Sequence, residues 1–405
     1  MKNFILYISL TLTSFLYAQD NNYPKIDEYQ IESSVFGTTR KVTVSTPVGY
    51  QENNKNKKYV VAYLFDGQFT PYFAMVNSAI SYYSQVSEGI PMIVISIHTE
   101  NRSLEFTPHT DSEKTKNGWR GNCGEADRLT KFIREEVIPN VENNYNVKPY
   151  RLAIGHSLGG TYVLTELMKK ESLFNAAIAV SPNLNYDNEQ IVEQGKTFFK
   201  ENPNSRAFIY SSAGDQGQME NNFRKSLEKL DAIAKTNKPK NLSWEYEYLD
   251  GDTHMSTFLP TFDNGYLKFS KEWMISDEKF DEIAKSKKPI ENYFNAYKNF
   301  TSFAGFEVEP DNVDLNNFAY NLSYHEKYEQ AIDVLNIAIE KFPKDANLHD
   351  SKGEMYENLK KIHEANACYS KALEILLANP DAYDEESRQY YLETFTKNVN
   401  RTKKN

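Results

Sequence analysis

Ser157 stands in "RLAIGHSLGGTYVL", residues 151–164, bracketed by Gly155 and Gly159. A serine hydroxyl is a weak nucleophile unless a base takes its proton. A Gly-x-Ser-x-Gly run between a strand and a helix forms a nucleophile elbow, a tight turn that lifts the hydroxyl above a sheet edge. Here the run follows the apolar "RLAI" and precedes the helical "GTYVLTELMKK". The two glycines leave room for backbone to pass where a side chain would clash. The helix points its positive end at the serine, which favours a developing oxyanion. The N–H of Leu158 is the natural first donor to that oxyanion. The chemistry implied is acyl transfer through a covalent serine intermediate.

In this arrangement the chain order is serine, acid, histidine. Of the seven histidines, His98 and His109 precede Ser157, and His156 adjoins it and is expected to point away. His325, His349 and His363 lie far downstream. His254, in "LDGDTHMS" after the last β-type run, is the candidate base. The acid is sought just beyond "AFIYSS", in "AGDQGQMENN". Asp215 sits at the strand end on a short tether and is preferred, while Glu220, opening the next helix, is the alternative. Either could fix the imidazole tautomer and stabilise the imidazolium. Asp250 and Asp252 lie too close to His254 in sequence to orient it easily and are expected to shape its turn.

The elements that must position these residues alternate from about residue 26 to 275. Apolar runs "KVTVSTP", "YVVAYLF", "MIVISI", "RLAI", "AAIAV", "AFIYSS" and "WEYEYL" are separated mostly by helical stretches. In "ADRLTKFIREEVIPNV", Leu129, Phe132, Ile133 and Val137 recur on one helix face. Such alternation predicts a mostly parallel sheet with helices on both faces, and "EYQIESSVFG" with "KVTVSTP" predicts an antiparallel pair at its start. After residue 276 no β-type run is found. Ala319, Leu322, Ala331, Leu335 and Ala338 recur one 34-residue period later as Gly353, Tyr356, Ala365, Tyr369 and Ala372. This is the spacing of tetratricopeptide repeats, in which small residues let paired helices approach closely.

Composition narrows the function classes. A net charge of -10 argues against nucleic-acid binding, and the basic tail "RTKKN" is read as a solvated end. The start "MKNFILYISLTLTSFLYAQD" has a short positive region, an apolar core and a processing site near Ala18, the pattern of a compact bacterial signal peptide. Its apolar run falls short of the roughly 20 residues a membrane span needs, and no later segment is apolar enough to span. An exported protein, periplasmic or extracellular, is expected. Cys123 and Cys368 are isolated, so neither a disulfide frame nor a zinc site is expected. No metal or other cofactor is needed.

From about Asp27 to Trp273 the chain resembles the esterase D and enterobactin esterase-like family of α/β-hydrolases. That family includes trilactone siderophore esterases, feruloyl and acetyl-xylan esterases, and mycolyltransferases. The resemblance rests on "YLFDGQ", "NRSLEFTP", "GEADRLTKFIREEVIPNVENNY", "GHSLGG" and "DGDTHMS". It implies an α/β-hydrolase fold and a second oxyanion N–H from the "LFDGQ" turn, at Gly67 or Gln68. Some bacterial relatives also carry a tetratricopeptide extension. Arg102, Trp119 and Arg120 fall in segments expected above the carboxyl edge of the sheet, where ligands of this class bind. An arginine there could take a carboxylate or phenolate and the tryptophan could stack on an aromatic acyl group, or they are solvated charges and a packing residue.

The expected organisation is a signal peptide (1–18), a hydrolase region (26–275), a connector and helix (276–310), two tetratricopeptide repeats (311–380), and a capping helix with basic tail (381–405). The expected activity is hydrolysis of a small carboxylic ester, such as a siderophore trilactone, a feruloyl ester or an acetylated sugar. Acyl transfer to an alcohol is the neighbouring alternative. A binding protein that uses the repeats to hold a peptide or protein, with the hydrolase fold as platform, is the contrasting one.

Overall fold

The structure, a computed structural model, describes residues 23–403 apart from 53, 55, 56, 203, 204, 381, 382 and 384. The expected signal peptide lies outside the described residues. The β-type runs become one sheet: β1 (Lys25–Ser33), β2 (Thr38–Thr46), β3 (Tyr59–Leu64), β4 (Met92–Ile97), β5 (Val147–His156), β6 (Ala176–Val180), β7 (Ala207–Gln216) and β8 (Leu242–Thr253). Their spatial order is β1-β2-β4-β3-β5-β6-β7-β8. β1 pairs antiparallel with β2, and β2 antiparallel with β4; the remaining pairs are parallel.

The central strands are continuously apolar because both faces are covered. Successive side chains alternate between the faces. Val61, Tyr63, Ile93, Ile95 and Ala153 meet Leu129, Phe132, Val137, Tyr162 and Leu227 on one face. Val60, Ala62, Leu64, Val94, Leu152 and Ile154 meet Tyr72, Val76, Ile80, Phe258, Phe262 and Phe269 on the other. The single amphipathic helix expected around Leu129 is interrupted. An α-helical turn at Ala126–Phe132 passes through a π-helical turn at Ile133–Val137 into Ile138–Asn144. Pro139 has no N–H to give the carbonyl four residues before it, and a wider turn absorbs that loss. All four predicted face residues remain buried.

From Asp277 the described residues are helical or connecting: Asp277–Lys285, Pro289–Ala304, Asn312–Tyr324, Tyr328–Lys341, Ala346–Asn358, Ile362–Ala378 and Glu385–Thr402. The third helix recurs as the fifth and the fourth as the sixth at the period that separates Tyr320 from its hydrogen-bond partner Glu354, 34 residues. Their N-caps recur too, since Asp311 and Asp345 both accept from the following backbone. A Cβ on Gly353 would meet the Tyr369 ring at 2.5 Å, so close helix approach requires glycine there. The start of the basic tail is not a solvated end. Arg401 pairs with Glu357, and the Thr402 hydroxyl is 2.8 Å from Asn366 Nδ2.

The helix Pro289–Ala304 belongs to the core of the sheet region. Phe300, Ala304 and Val308 share a cluster with Tyr150, Phe208, Phe269 and Trp273, and Phe303 stacks on Tyr150 at 5.6 Å. Tyr150 lies near the start of β5 and Ser157 just past its end. At a rise of ~3.3 Å per residue, the helical region therefore docks roughly 20 Å from the serine, at the opposite edge of the sheet.

Candidate active site

Ser157 caps the helix Leu158–Leu167 with φ 58 and ψ −118, a left-handed backbone that costs a non-glycine residue energy. The surroundings hold it there. The Ser157 N–H donates to Val180 O at 2.9 Å, and its carbonyl accepts from Thr161 N at 2.9 Å. A Cβ on Gly155 would lie 2.3 Å from Gly159 O, so the turn closes only with glycine at that position.

Ser157 opens onto a cleft of about 520 Å³ that it shares with His254 and His156 and with Gln68, Tyr72, Arg102 and Met219. His254 is 11 % exposed, and its Nδ1 lies 2.7 Å from Glu220 Oε2. A carboxylate only accepts, so Nδ1 carries the proton and Nε2 keeps a lone pair for the cleft. Ser157 and His254 face the same cleft, with no hydrogen bond between them among the described residues.

Glu220 is buried. Its Oε1 accepts from Ser181 Oγ at 2.7 Å and from Gly214 N at 2.6 Å. Burial works against its charge, but the hydrogen bonds from His254, Ser181 and Gly214 outweigh it and hold the carboxyl below its ordinary pKa.

The preferred acid of the sequence reading, Asp215, does not face His254. Strand β7 runs on through Gln216, which places Asp215 on an exposed ribbon with β8. There its carboxylate accepts from the Tyr248 hydroxyl at 2.7 Å and from Gly251 N at 3.1 Å. Gly217, at φ 95, then reverses the chain directly into the helix Gln218–Asn237 and turns Glu220, in its first turn, inward. Asp252 shapes the turn below His254 by accepting from Ser256 Oγ at 2.6 Å.

The "LFDGQ" turn separates its two candidate donors. Gly67 N–H is spent on Ile97 O at 2.8 Å, and a Cβ there would collide with Ser96 and His98. The N–H groups of Gln68 and Leu158 have no acceptor among the described residues, so these two remain the candidate oxyanion donors. The Gln68 side chain pins the loop, accepting from Thr99 N and donating to Asp66, both at 2.9 Å. Arg102 lines the cleft and grips Asp66 through two bonds, of 3.0 and 2.9 Å. Trp119 and Arg120 do not line it. Trp119 packs edge-on against Tyr186 at 5.7 Å, and Arg120 is exposed at a positive-φ turn.

Ser181, Thr257, His156 and Tyr72 were not legible as site residues. Ser181 reaches Glu220 from the end of β6, and Thr257 lies 2.8 Å from Ser181 Oγ. His156 carried a signal in its adjacency to the nucleophile, yet its partner Tyr72 is 84 residues away and nothing local marks it.

Among the described residues no group of His, Cys, Asp and Glu could hold a metal ion, and no helix is long and apolar enough to cross a membrane. The family model described as "Putative esterase" matches residues 33–269. The chain is 27 % identical over 235 residues to the ferri-bacillibactin esterase BesA of Bacillus subtilis, covering 52 % of this chain and 78 % of that one. In fold it is similar to an IroE-like serine hydrolase from Shewanella oneidensis, with a TM-score of 0.64 at 21 % identity over 78 % of this chain and all of that one. It is also similar to an uncharacterised protein from Capnocytophaga ochracea, with a TM-score of 0.63 at 14 % identity over 94 % of this chain and all of that one. That last match extends the shared architecture into the C-terminal helices. With more than half of its length matched by the family model, the chain belongs to the "Putative esterase" family and is an ester hydrolase of the α/β-hydrolase fold.

Proposed function

We propose that this protein is an exported serine hydrolase that cleaves carboxylic esters through an acyl-enzyme. The observation that carries the mechanism is the Glu220–His254 bond of 2.7 Å beside a strained Ser157. In this reading Ser157 Oγ attacks the ester carbonyl and gives its proton to His254 Nε2. Glu220 stays ionised and stabilises the imidazolium, and the N–H groups of Leu158 and Gln68 receive the oxyanion. The leaving alkoxide takes the proton from His254. Water, deprotonated by the same imidazole, then attacks the acyl carbonyl, the bond to Ser157 Oγ breaks, and Oγ takes the proton back from His254 as the acid leaves.

Two features support a bulky, partly aromatic ester with an anionic or phenolic edge. Phe69, Met219 and Met255 give the cleft an exposed apolar rim, and Arg102 stands at its side with 40 % of its side chain exposed. Similarity to a ferri-bacillibactin esterase favours a siderophore ester among such substrates. Export rests on the N-terminal apolar segment. The recurring helix pairs support reading residues 311–380 as two tetratricopeptide repeats.

The test is Ser157→Ala assayed on aryl esters and a catecholate trilactone, with intact-mass detection of the acyl-enzyme in the wild type. Loss of turnover to a residual of ~10³ over water is expected. Near-normal turnover by the variant, with contaminating esterase excluded, sinks the reading. Product analysis with added alcohol separates hydrolysis from acyl transfer.

A further inference from the structure

His156 is buried in the wall of the cleft, with its ring centroid 4.4 Å from that of His254. Its Nε2 lies 2.8 Å from the main-chain oxygen of His254, and its Nδ1 lies 2.6 Å from the Tyr72 hydroxyl. A carbonyl oxygen only accepts, so Nε2 bears the proton and Nδ1 accepts from Tyr72. Tyr72 is itself fixed, stacked on Phe258 at 4.0 Å. The Thr257 hydroxyl lies 2.9 Å from the same His254 carbonyl. The backbone that carries the base is therefore tied from two directions, and one tie reaches across the sheet to the helix Thr70–Gln85.

Burial, and after it the positive character of His254, push the pKa of His156 down to about 4. The ring is thus neutral throughout the neutral range. The charged groups near it are Glu220, on the far side of His254, and the Arg102–Asp66 pair across the cleft.

We propose that His156, locked in one tautomer by Tyr72, is a positioning residue for the catalytic base. It fixes the main chain at His254 so that the imidazole keeps Nδ1 on Glu220 and presents Nε2 to Ser157. Being neutral, it also lets the imidazolium form against it without a second positive charge. This rests on the reading of Ser157, His254 and Glu220 as a triad. Packing alone would ask for shape at this position, whereas the geometry uses one donor and one acceptor in fixed places.

The experiment uses the full chain and the variants His156→Ala, His156→Gln and Tyr72→Phe. It measures kcat and KM on an aryl ester, the labelling rate by a fluorophosphonate probe, thermal melting, and the downfield proton resonance of His254 Nδ1–H. Misplacing a catalytic group by ~1 Å costs about 10²-fold, so His156→Ala is expected to lose about that much in kcat with KM little changed. It is also expected to lose the downfield resonance. His156→Gln, which keeps an N–H for the His254 carbonyl, should recover most of both, and Tyr72→Phe should fall between. Unchanged kcat and an unchanged resonance in folded His156→Ala overturn the proposal. If His156→Ala does not fold, wild-type values of both in Tyr72→Phe, or a folded His156→Gln that is about 10²-fold down in kcat and lacks the resonance, overturn it. Failure of the wild type to label at Ser157 counts against the triad reading. The resonance and its loss still decide the positioning role.

Discussion

The sheet edge that carries Ser157 and His254 and the C-terminal helices are built on opposite logics. At the edge, the groups that must meet arrive from distant parts of the chain: Tyr72 to His156 spans 84 residues, and Glu220 to His254 spans 34. In the helices, each pair packs on the next by the same residues one period on, so the arrangement is almost one-dimensional. The period of 34 residues between Tyr320 and Glu354 is repetition, whereas the same separation between Glu220 and His254 is a helix and a strand closing one site. A change at the edge should therefore remove chemistry while sparing the fold. A change in the helices should loosen a local unit and leave the chemistry alone.

The sharpest way to break that contrast is at the acid. Glu220→Gln should lower kcat by up to ~10⁴ with little change in KM, because the imidazole loses the partner that fixes its tautomer. Asp215→Asn should lower it less than about threefold, since its bonds to Tyr248 and Gly251 hold an exposed ribbon. Steady-state kinetics on one aryl ester decide between them, and the opposite ranking would return the role to Asp215.

Removing the helices tests whether the two regions are separable. A chain ending near residue 277 keeps Ser157, Glu220 and His254 but uncovers Tyr150, Phe269 and Trp273. It should melt roughly 5–10 °C lower than one ending near residue 310, which retains Phe300, Phe303 and Val308. Both, once folded, should hydrolyse a small aryl ester, and activity lost in the longer chain would show that the repeats complete the site.

The acid side of the stability profile tests the buried histidine. An exposed histidine titrates near 6.5, and His156 in the folded chain near 4. Between these values the unfolded chain binds a proton that the folded chain does not. His156 therefore costs no stability above about pH 6.5 and progressively more as pH falls towards 4. His156→Gln should flatten that decline by on the order of 3 kcal/mol, read from denaturant melts at pH 7 and 4. Equal slopes in both proteins would show that His156 is not buried as a neutral ring.

The smallest effect is expected in the repeats. Gly353→Val pushes a side chain into the Tyr369 ring and should destabilise the helical region by about 1–3 kcal/mol. Ester hydrolysis should stay unchanged at temperatures where that region is folded. A parallel loss of activity would mean that the helices and the catalytic edge are coupled.

The eight strands, the helix faces and the candidate nucleophile and base, Ser157 and His254, could be read from the sequence alone. Each of these is written in residues close together: alternation and continuous apolar runs for β3 and β4, glycines around Ser157, and a histidine after the final strand. The 34-residue recurrence was legible for the same reason. Which carboxylate meets His254 was not local. It depends on β7 continuing past Asp215 and on Gly217 reversing the chain, so that the residue farther along the sequence is the nearer one in space. Gly67 could not be separated from Gln68 until β4 was seen to take its N–H. His156 and Tyr72 became readable only once the sheet set the helix Thr70–Gln85 beneath the loop of His254. A hydrogen bond between residues far apart in the chain exists only when packing fixes both ends, and no short stretch of sequence records it.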